Sequence, residues 1–290
     1  MMVLLHVKNG ITSQFLYETT VTAQIFNILK DVVAIYNGRL KIERICAEIE
    51  NLAEHGTFLP HNMQGLTDEQ IEELRLVDEW SERCVPSGGH VENKDPIGRR
   101  NGKAPNDKMK EMLKKATSEA KAAISKKIID SGMTLKQAII GNQISILRGA
   151  VTIVYPMGLP IHDPIRMEFE NREDLEGTQA SLEVLDEGVT EMWLAGKQLA
   201  YDKTLEFYVG KNEKSRLIVK LQRRGKGAPQ REPVFSEQDR KDMMMHAFRK
   251  QEELKKLNED NDDNYLDSDW ADNFALKKSF HGVKNVSWHP

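Results

Sequence analysis

Cys46 and Cys84 are the only two thiols in a chain of 290 residues, and a thiol does chemistry as the thiolate, activated by a neighbouring base or cation. Neither belongs to a paired metal or redox spacing. The eight histidines are scattered, and Cys84 with His90 falls short of the four ligands that a zinc site needs. An acidic run starting at Asp260 offers Tyr265 where a calcium loop places its turn glycine and Ala271 where it places the bidentate Glu, so that reading fails. Gly98 to Gly102 and Gly225-Lys226-Gly227 set glycines beside basic residues, yet neither completes a phosphate-binding or dinucleotide fingerprint between strand and helix. The expectation is a protein that is not an enzyme, with no catalytic residues, no cofactor and no metal.

The chemistry left is that of contact between surfaces. The formal net charge of -4 conceals a segregation: ten Lys or Arg against three Asp or Glu from Arg99 to Lys127, then two basic against nine acidic residues from Glu252 to Asp272. Such blocks are either solvated faces or surfaces that meet an opposite charge. The basic stretch is a lysine-rich amphipathic face without interleaved aromatics, which argues against nucleic acid and for an acidic protein surface. Trp270, Phe274, Phe280 and Trp288 are dense in the acidic tail. They pack on the protein's own groove or anchor a partner as aromatic hot spots. With Trp193 they are the candidate partner-binding residues.

Those residues need elements to hold them. Alternation of Val3, Leu5 and Val7, the turn Asn9-Gly10, and then Phe15 and Tyr17 predict a hairpin over the first nineteen residues. Apolar residues from Val21 to Tyr36 repeat with helical period and Asn37-Gly38 supplies a stop; a second helix is expected from Leu40 to His55. Thr67 to Gln70 forms a capping box for a short acidic helix ending near Arg83. Residues 85–106, rich in Gly and Pro, read as a linker or long loop. A basic helix from Asp107 to Gly132 and another from Thr134 to Arg148 should form an antiparallel pair. Then Val151 to Tyr155 and Arg166 to Glu170 read as strands of a hairpin. A charged surface helix, with Met244, Ala247, Phe248 and Leu254 on one face, is expected from Glu237 to Leu257. No run approaches the length of a membrane span, and the first residues lack the flank and core of a signal peptide. Both point to a soluble, cytosolic protein.

Two resemblances refine this. Leu194-Ala195-Gly196-Lys197-Gln198-Leu199, followed by Thr204-Leu205, Tyr208 and a closing strand with Leu217, Val219 and Leu221, resembles the second half of ubiquitin. It implies a β-grasp domain over 150–224, with its hairpin at 151–170 and its helix between Glu173 and Glu187. The expected fold class is therefore α+β: an N-terminal hairpin-plus-helices module over 1–84, the linker, a helical pair over 107–149, the ubiquitin-like domain, and a C-terminal helix with an extended acidic and aromatic arm over 225–290. Lys220 stands where the ubiquitin recognition patch wants an aliphatic residue, and the chain continues past Arg223-Arg224-Gly225.

Longer words are more specific. Val3-Leu4-Leu5-His6-Val7-Lys8, Tyr36-Asn37-Gly38-Arg39-Leu40-Lys41, Cys84-Val85-Pro86-Ser87-Gly88-Gly89, Ile153-Val154-Tyr155-Pro156-Met157-Gly158-Leu159-Pro160, Asp163-Pro164-Ile165-Arg166-Met167-Glu168-Phe169-Glu170-Asn171 and Phe280-His281-Gly282-Val283-Lys284 occur in order. Through them the chain resembles the Kurly family of cilia- and flagella-associated proteins over nearly its whole length. The resemblance implies a cytoplasmic protein of the ciliary base, the basal body and the cilium. Its implied role is that of an adaptor or scaffold for axonemal dynein arm assembly and planar polarity of motile cilia. The implied partners are proteins, dynein components or their assembly factors, and not nucleic acid, membrane or a small molecule. The competing expectation from the ubiquitin likeness is a protein-binding module of the ubiquitin pathway.

Overall fold

The computed structural model describes residues 2–212, 214–231 and 237–260. The chain opens with β1 (Val3–Asn9) and β2 (Thr12–Thr19), antiparallel about the expected turn. Val3, Leu5 and Val7 are buried, as a strand with one face on a core requires. Next comes α1 (Ile25–His55), one helix of 31 residues where two were expected. Asn37 and Gly38 do not stop it. The Asn37 side chain bonds the backbone of Leu185 in both directions, at 2.7 and 3.0 Å. A side chain at Gly38 would bring its Cβ within 2.6 Å of Ile140 Cγ2. Both residues are chosen for a neighbour that approaches the helix, and sequence pattern alone reads that choice as a break.

After α1 come α2 (Asp68–Glu73), α3 (Glu79–Arg83) and a two-stranded ribbon of β3 (His90–Glu92) and β4 (Lys103–Pro105). The capping box at Thr67 is present, but the acidic helix divides in two, with Arg75 in left-handed backbone between the halves. Residues 85–106 form an ordered loop. The carboxylate of Asp95 accepts the backbone N–H groups of Ile97, Arg99 and Arg100, and Met1–Arg231 is one compact unit. Then come α4 (Asp107–Ala123), a 3-10 turn at Lys126–Ile129, and α5 (Gln137–Val154).

The expected hairpin at 151–170 is helical instead. α5 runs through Gly149 because Leu147, Ala150, Val151 and Val154 continue its buried stripe, a spacing that outweighs the strand preference of Val, Thr and Ile. Residues Pro164–Glu170 form α6, capped by the Asp163 side chain with Pro164 in the first turn, where a missing N–H costs nothing. The short helix α7 (Gln179–Glu183) follows.

The second half of the expected β-grasp lies where the sequence placed it: β5 (Thr190–Leu194), β6 (Lys197–Gln198), a short α8 (Leu205–Val209) and β7 (Arg216–Arg223). Its partners are elsewhere. The sheet order is β2-β1-β7-β5-β6, with β7 parallel to β1 and the other pairs antiparallel. That is the order and direction of a β-grasp sheet, but its hairpin is residues 3–19 and its helix is α1. Residues between α1 and β5 are an insertion. The reason is pairing: Leu5 opposes Leu217 and Val7 opposes Val219, so the buried rows of the first and last strands are continuous. Helices α4 and α5 pack on α1 and on each other, and one apolar core runs from Val3 through Ile42 and Leu113 to Leu221. Helix α9 (Glu237–Asp260) belongs to a second unit, Glu232–Pro290. Among its described side chains Met243, Met244, Met245, Phe248, Leu254 and Leu257 are exposed, so the apolar face expected with Met244, Phe248 and Leu254 is not covered among the described residues.

Candidate interaction surfaces

A groove of about 1050 Å³ lies at the turn end of the first hairpin. Its lining is mixed, with Tyr36 and Leu40 of α1, Leu185 before β5 and Leu221 of β7 among its apolar members. Two exposed apolar residues stand at its edge, Ile11 in the turn at 59% and Leu182 of α7 at 70%. Arg39 forms one wall. Its guanidinium donates to Ile124 O at 3.1 Å and to Gln14 O at 2.8 Å, with Glu43 3.8 Å away. Burial lowers the Arg39 pKa from its ordinary value, and Glu43 acts against that shift. Arg223 forms a second wall, donating from Nη2 to Leu182 O at 2.8 Å and Val184 O at 2.9 Å. These acceptors are neutral, so they hold the guanidinium in place and leave its charge standing. Lys126 and Lys226, both exposed, complete a basic rim. Opposing it are Glu43 and Glu183.

Trp193 lies on β5 opposite Gln198 on one side and Lys220 on the other. Its neighbour Met192 is buried, and strand alternation turns Trp193 to the outer sheet face with Ile218. The indole is half-buried, and its Nε1 is enclosed without a hydrogen-bond partner among the described residues. Lys220 occupies the position expected, only 7% exposed, with its ammonium donating to Gln230 O at 2.5 Å. Ile218 remains 39% exposed on the same face. Trp270, Phe274, Phe280 and Trp288 lie outside the described residues.

The basic helix is largely answered from within. Lys110 and Lys114 pair with Glu54 of α1, the latter at 2.7 Å, and Lys121 pairs with Glu50 at 2.6 Å. Hydrogen bonds from Lys110 and Lys114 hold the Glu54 carboxyl below its ordinary pKa. Two to three turns earlier on α1, Arg44 meets Glu168 of α6 through two bonds, at 2.6 and 3.1 Å. These pairs orient the inserted helices on α1.

A buried polar group joins the loop after α1 to α6. Asp163 is fully enclosed and accepts the N–H groups of Ile165 at 2.9 Å and Phe58 at 3.3 Å. Desolvation raises its pKa, against the pull of Arg100. Arg100 donates to Gly56 O at 2.9 Å and pairs with Glu48, and its guanidinium lies 5.5 Å from the centre of the Phe58 ring. The Tyr155 hydroxyl is buried nearby with no partner among the described residues. Desolvation raises it as well. The two thiols are buried. Burial pushes Cys46 up to about 11, and burial followed by Asp78 and Asp163 pushes Cys84 up. Neither is a thiolate at neutral pH, the opposite of activation. Among the described residues no group of three or more His, Cys, Asp or Glu is placed to hold a metal, and no helix is long and apolar enough to cross a membrane.

The groove was not legible in the sequence because its walls come from five separated stretches. The signal within reach was the pairing of exposed apolar residues with unpaired lysines at turns, Ile11 and Lys226 among them.

The sheet, the helix across it and the surfaces around them define an α+β protein with β-grasp strand order and a large helical insertion. The family model described as cilia- and flagella-associated protein 298 matches residues 190–286. The chain is 58% identical to cilia- and flagella-associated protein 298 of Homo sapiens over 289 residues, all of both chains. It is equally similar, over the same span, to cilia- and flagella-associated protein 298-A of Xenopus laevis. The Drosophila melanogaster protein of that name is 50% identical over 285 residues, 98% of each chain. The chain belongs to the cilia- and flagella-associated protein 298 family, the one to which the Kurly resemblance pointed. No solved structure matches it.

Proposed function

We propose that the chain is a non-catalytic adaptor or scaffold of motile cilia, acting in the cytoplasm and at the ciliary base in axonemal dynein arm assembly and in planar polarity of cilia. The observation that carries this is similarity along the whole chain to proteins named for cilia and flagella. Supporting it are a partly apolar groove with a basic rim, an outer sheet face bearing Trp193 and Ile218, and a helix with exposed Met and Phe. Such surfaces are suited to holding proteins. The thiols, the strongest nucleophiles available, have raised pKa values. Deleting the gene in a ciliating cell should remove dynein arms and leave axonemal microtubules intact. Normal arms in the null cell would end the reading.

The β-grasp sheet favours a second reading, a protein-binding module of the ubiquitin pathway. Against it, the sheet row that would be recognised carries Lys220, already bonded to Gln230 O. Affinity capture with the intact chain separates the two. Dynein components or their assembly factors support the first, and proteasomal or ligase components the second.

A further inference from the structure

We infer that the groove at the hairpin end binds an acidic peptide segment of a partner protein, one that places a large apolar side chain over Leu40 and Leu185 between Ile11 and Leu182. The inference deepens the adaptor reading and rests on it in taking the partner to be a protein. At about 1050 Å³ the groove is at or beyond the upper end of small-molecule sites, roughly 300–1,000 Å³, and it is partly open to solvent. It suits several consecutive side chains. Ile11 and Leu182 are large apolar groups left in water at its edge, and covering them returns hydrophobic free energy at about 25 cal/mol per Å².

Charge selects the class of peptide. Four cations, Arg39, Lys126, Arg223 and Lys226, face the groove against two carboxylates, Glu43 and Glu183. Arg39 has Glu43 beside it, but Arg223 spends its hydrogen bonds on carbonyl oxygens. Lys126 and Lys226 have no carboxylate within ion-pair distance among the described residues, whereas the lysines of α4 that face α1 are matched by Glu50 and Glu54. Where the fold needs a lysine it supplies the acid. Here neither Glu43 nor Glu183 pairs with Lys126 or Lys226, and a carboxylate from outside completes the set. The fixed guanidinium groups give orientation, and the flexible lysines at the rim give steering that weakens with salt.

The test is a displayed library of random twelve-residue peptides selected on the purified intact chain, with the consensus peptide then measured by fluorescence anisotropy. Expected is a consensus with at least two Asp or Glu and one aromatic or Leu. Its affinity should fall tenfold or more in the double variant Lys126→Glu/Lys226→Glu and in Leu182→Asp. All three substitutions fall on exposed residues, so the thermal midpoint should stay where it was, and a neutral variant, Lys226→Gln, should show a smaller loss. A consensus without acids, affinities indifferent to these changes, or no selected binder would overturn the inference. So would a dimer of this chain that Leu182→Asp dissolves, since a second copy would then be the occupant. None of these results bears on the null-cell phenotype, and normal dynein arms in the null cell would remove the adaptor reading while leaving peptide binding in place.

Discussion

Gly56 closes α1 and sends the chain into the insertion with φ 79° and ψ -160°, a region of backbone space open to glycine alone. Replacing it with Ala has two costs. The conformation itself is worth about 1–3 kcal/mol for any other residue. The new Cβ would also lie 2.4 Å from Lys103 O and from Asn101 Oδ1. Neither can yield freely, because Gly102 N bonds His55 O at 2.9 Å, Asn101 N bonds Thr57 O at 3.0 Å and Arg100 holds Gly56 O. Overpacking of that kind costs a further ~1–3 kcal/mol. The sum centres on ~4 kcal/mol, a large part of the 5–15 kcal/mol that holds a typical domain together. For a unit of this size it lowers the thermal midpoint by roughly 8–16 °C. Gly132→Ala is the control, since Gly132 also has positive φ, 73°, but open space around its Cβ position. It should cost only about 1 kcal/mol. Urea denaturation of both variants with a shared slope measures the difference directly. If Gly56→Ala loses no more than Gly132→Ala, the close approach of the β4 backbone to the end of α1 is not what the structure describes.

Three further outcomes are expected. Asn37→Ala leaves the N–H and C=O of Leu185 without their partner and should cost about 1–2 kcal/mol after the gain in helix propensity; chemical denaturation reads this, and an unchanged midpoint would show that α1 does not need that bond. Glu54 has its folded pKa below the ordinary 4.5, chiefly through Lys110 and then Lys114. It therefore adds stability above that value and loses it as pH falls through the depressed one. Glu54→Gln should flatten the stability profile below about pH 4.5 relative to the parent, and an identical acid profile would contradict the pairing. Cys46 and Cys84 are buried with raised pKa values, so a thiol reagent at neutral pH should label the native protein far more slowly than the unfolded one; equal rates would mean that one thiol is open.

Patterns carried by neighbours in the chain were determined by sequence alone. The hairpin at 3–19 follows from alternation and Asn9-Gly10, the basic stripe of α4 from spacing, the capping box at Thr67 from two residues, and the strand Thr190–Leu194 with the turn into Lys197 from a contiguous word. The family, too, was legible, because several long words in fixed order are far more specific than any short motif.

Tertiary structure alone decided which half joins which. β7 lies between β5 and β1, and the match of Leu217 and Val219 with Leu5 and Val7, more than two hundred residues away, joins it to the N-terminal hairpin where one at 151–170 was expected. Asn37-Gly38 is a stop in isolation and a continuous helix once Leu185 and Ile140 arrive. Val151 to Val154 has the composition of a strand and becomes helix because its inner row meets α1 and α4. The groove exists for the same reason. Its charge is the residue of pairing, and which lysines remain unpaired is settled only after Glu50 and Glu54 have taken theirs. Local preference is worth tenths of a kcal/mol per residue, burial of one large side chain about 1.5–3 kcal/mol, and where the two disagree the packing wins.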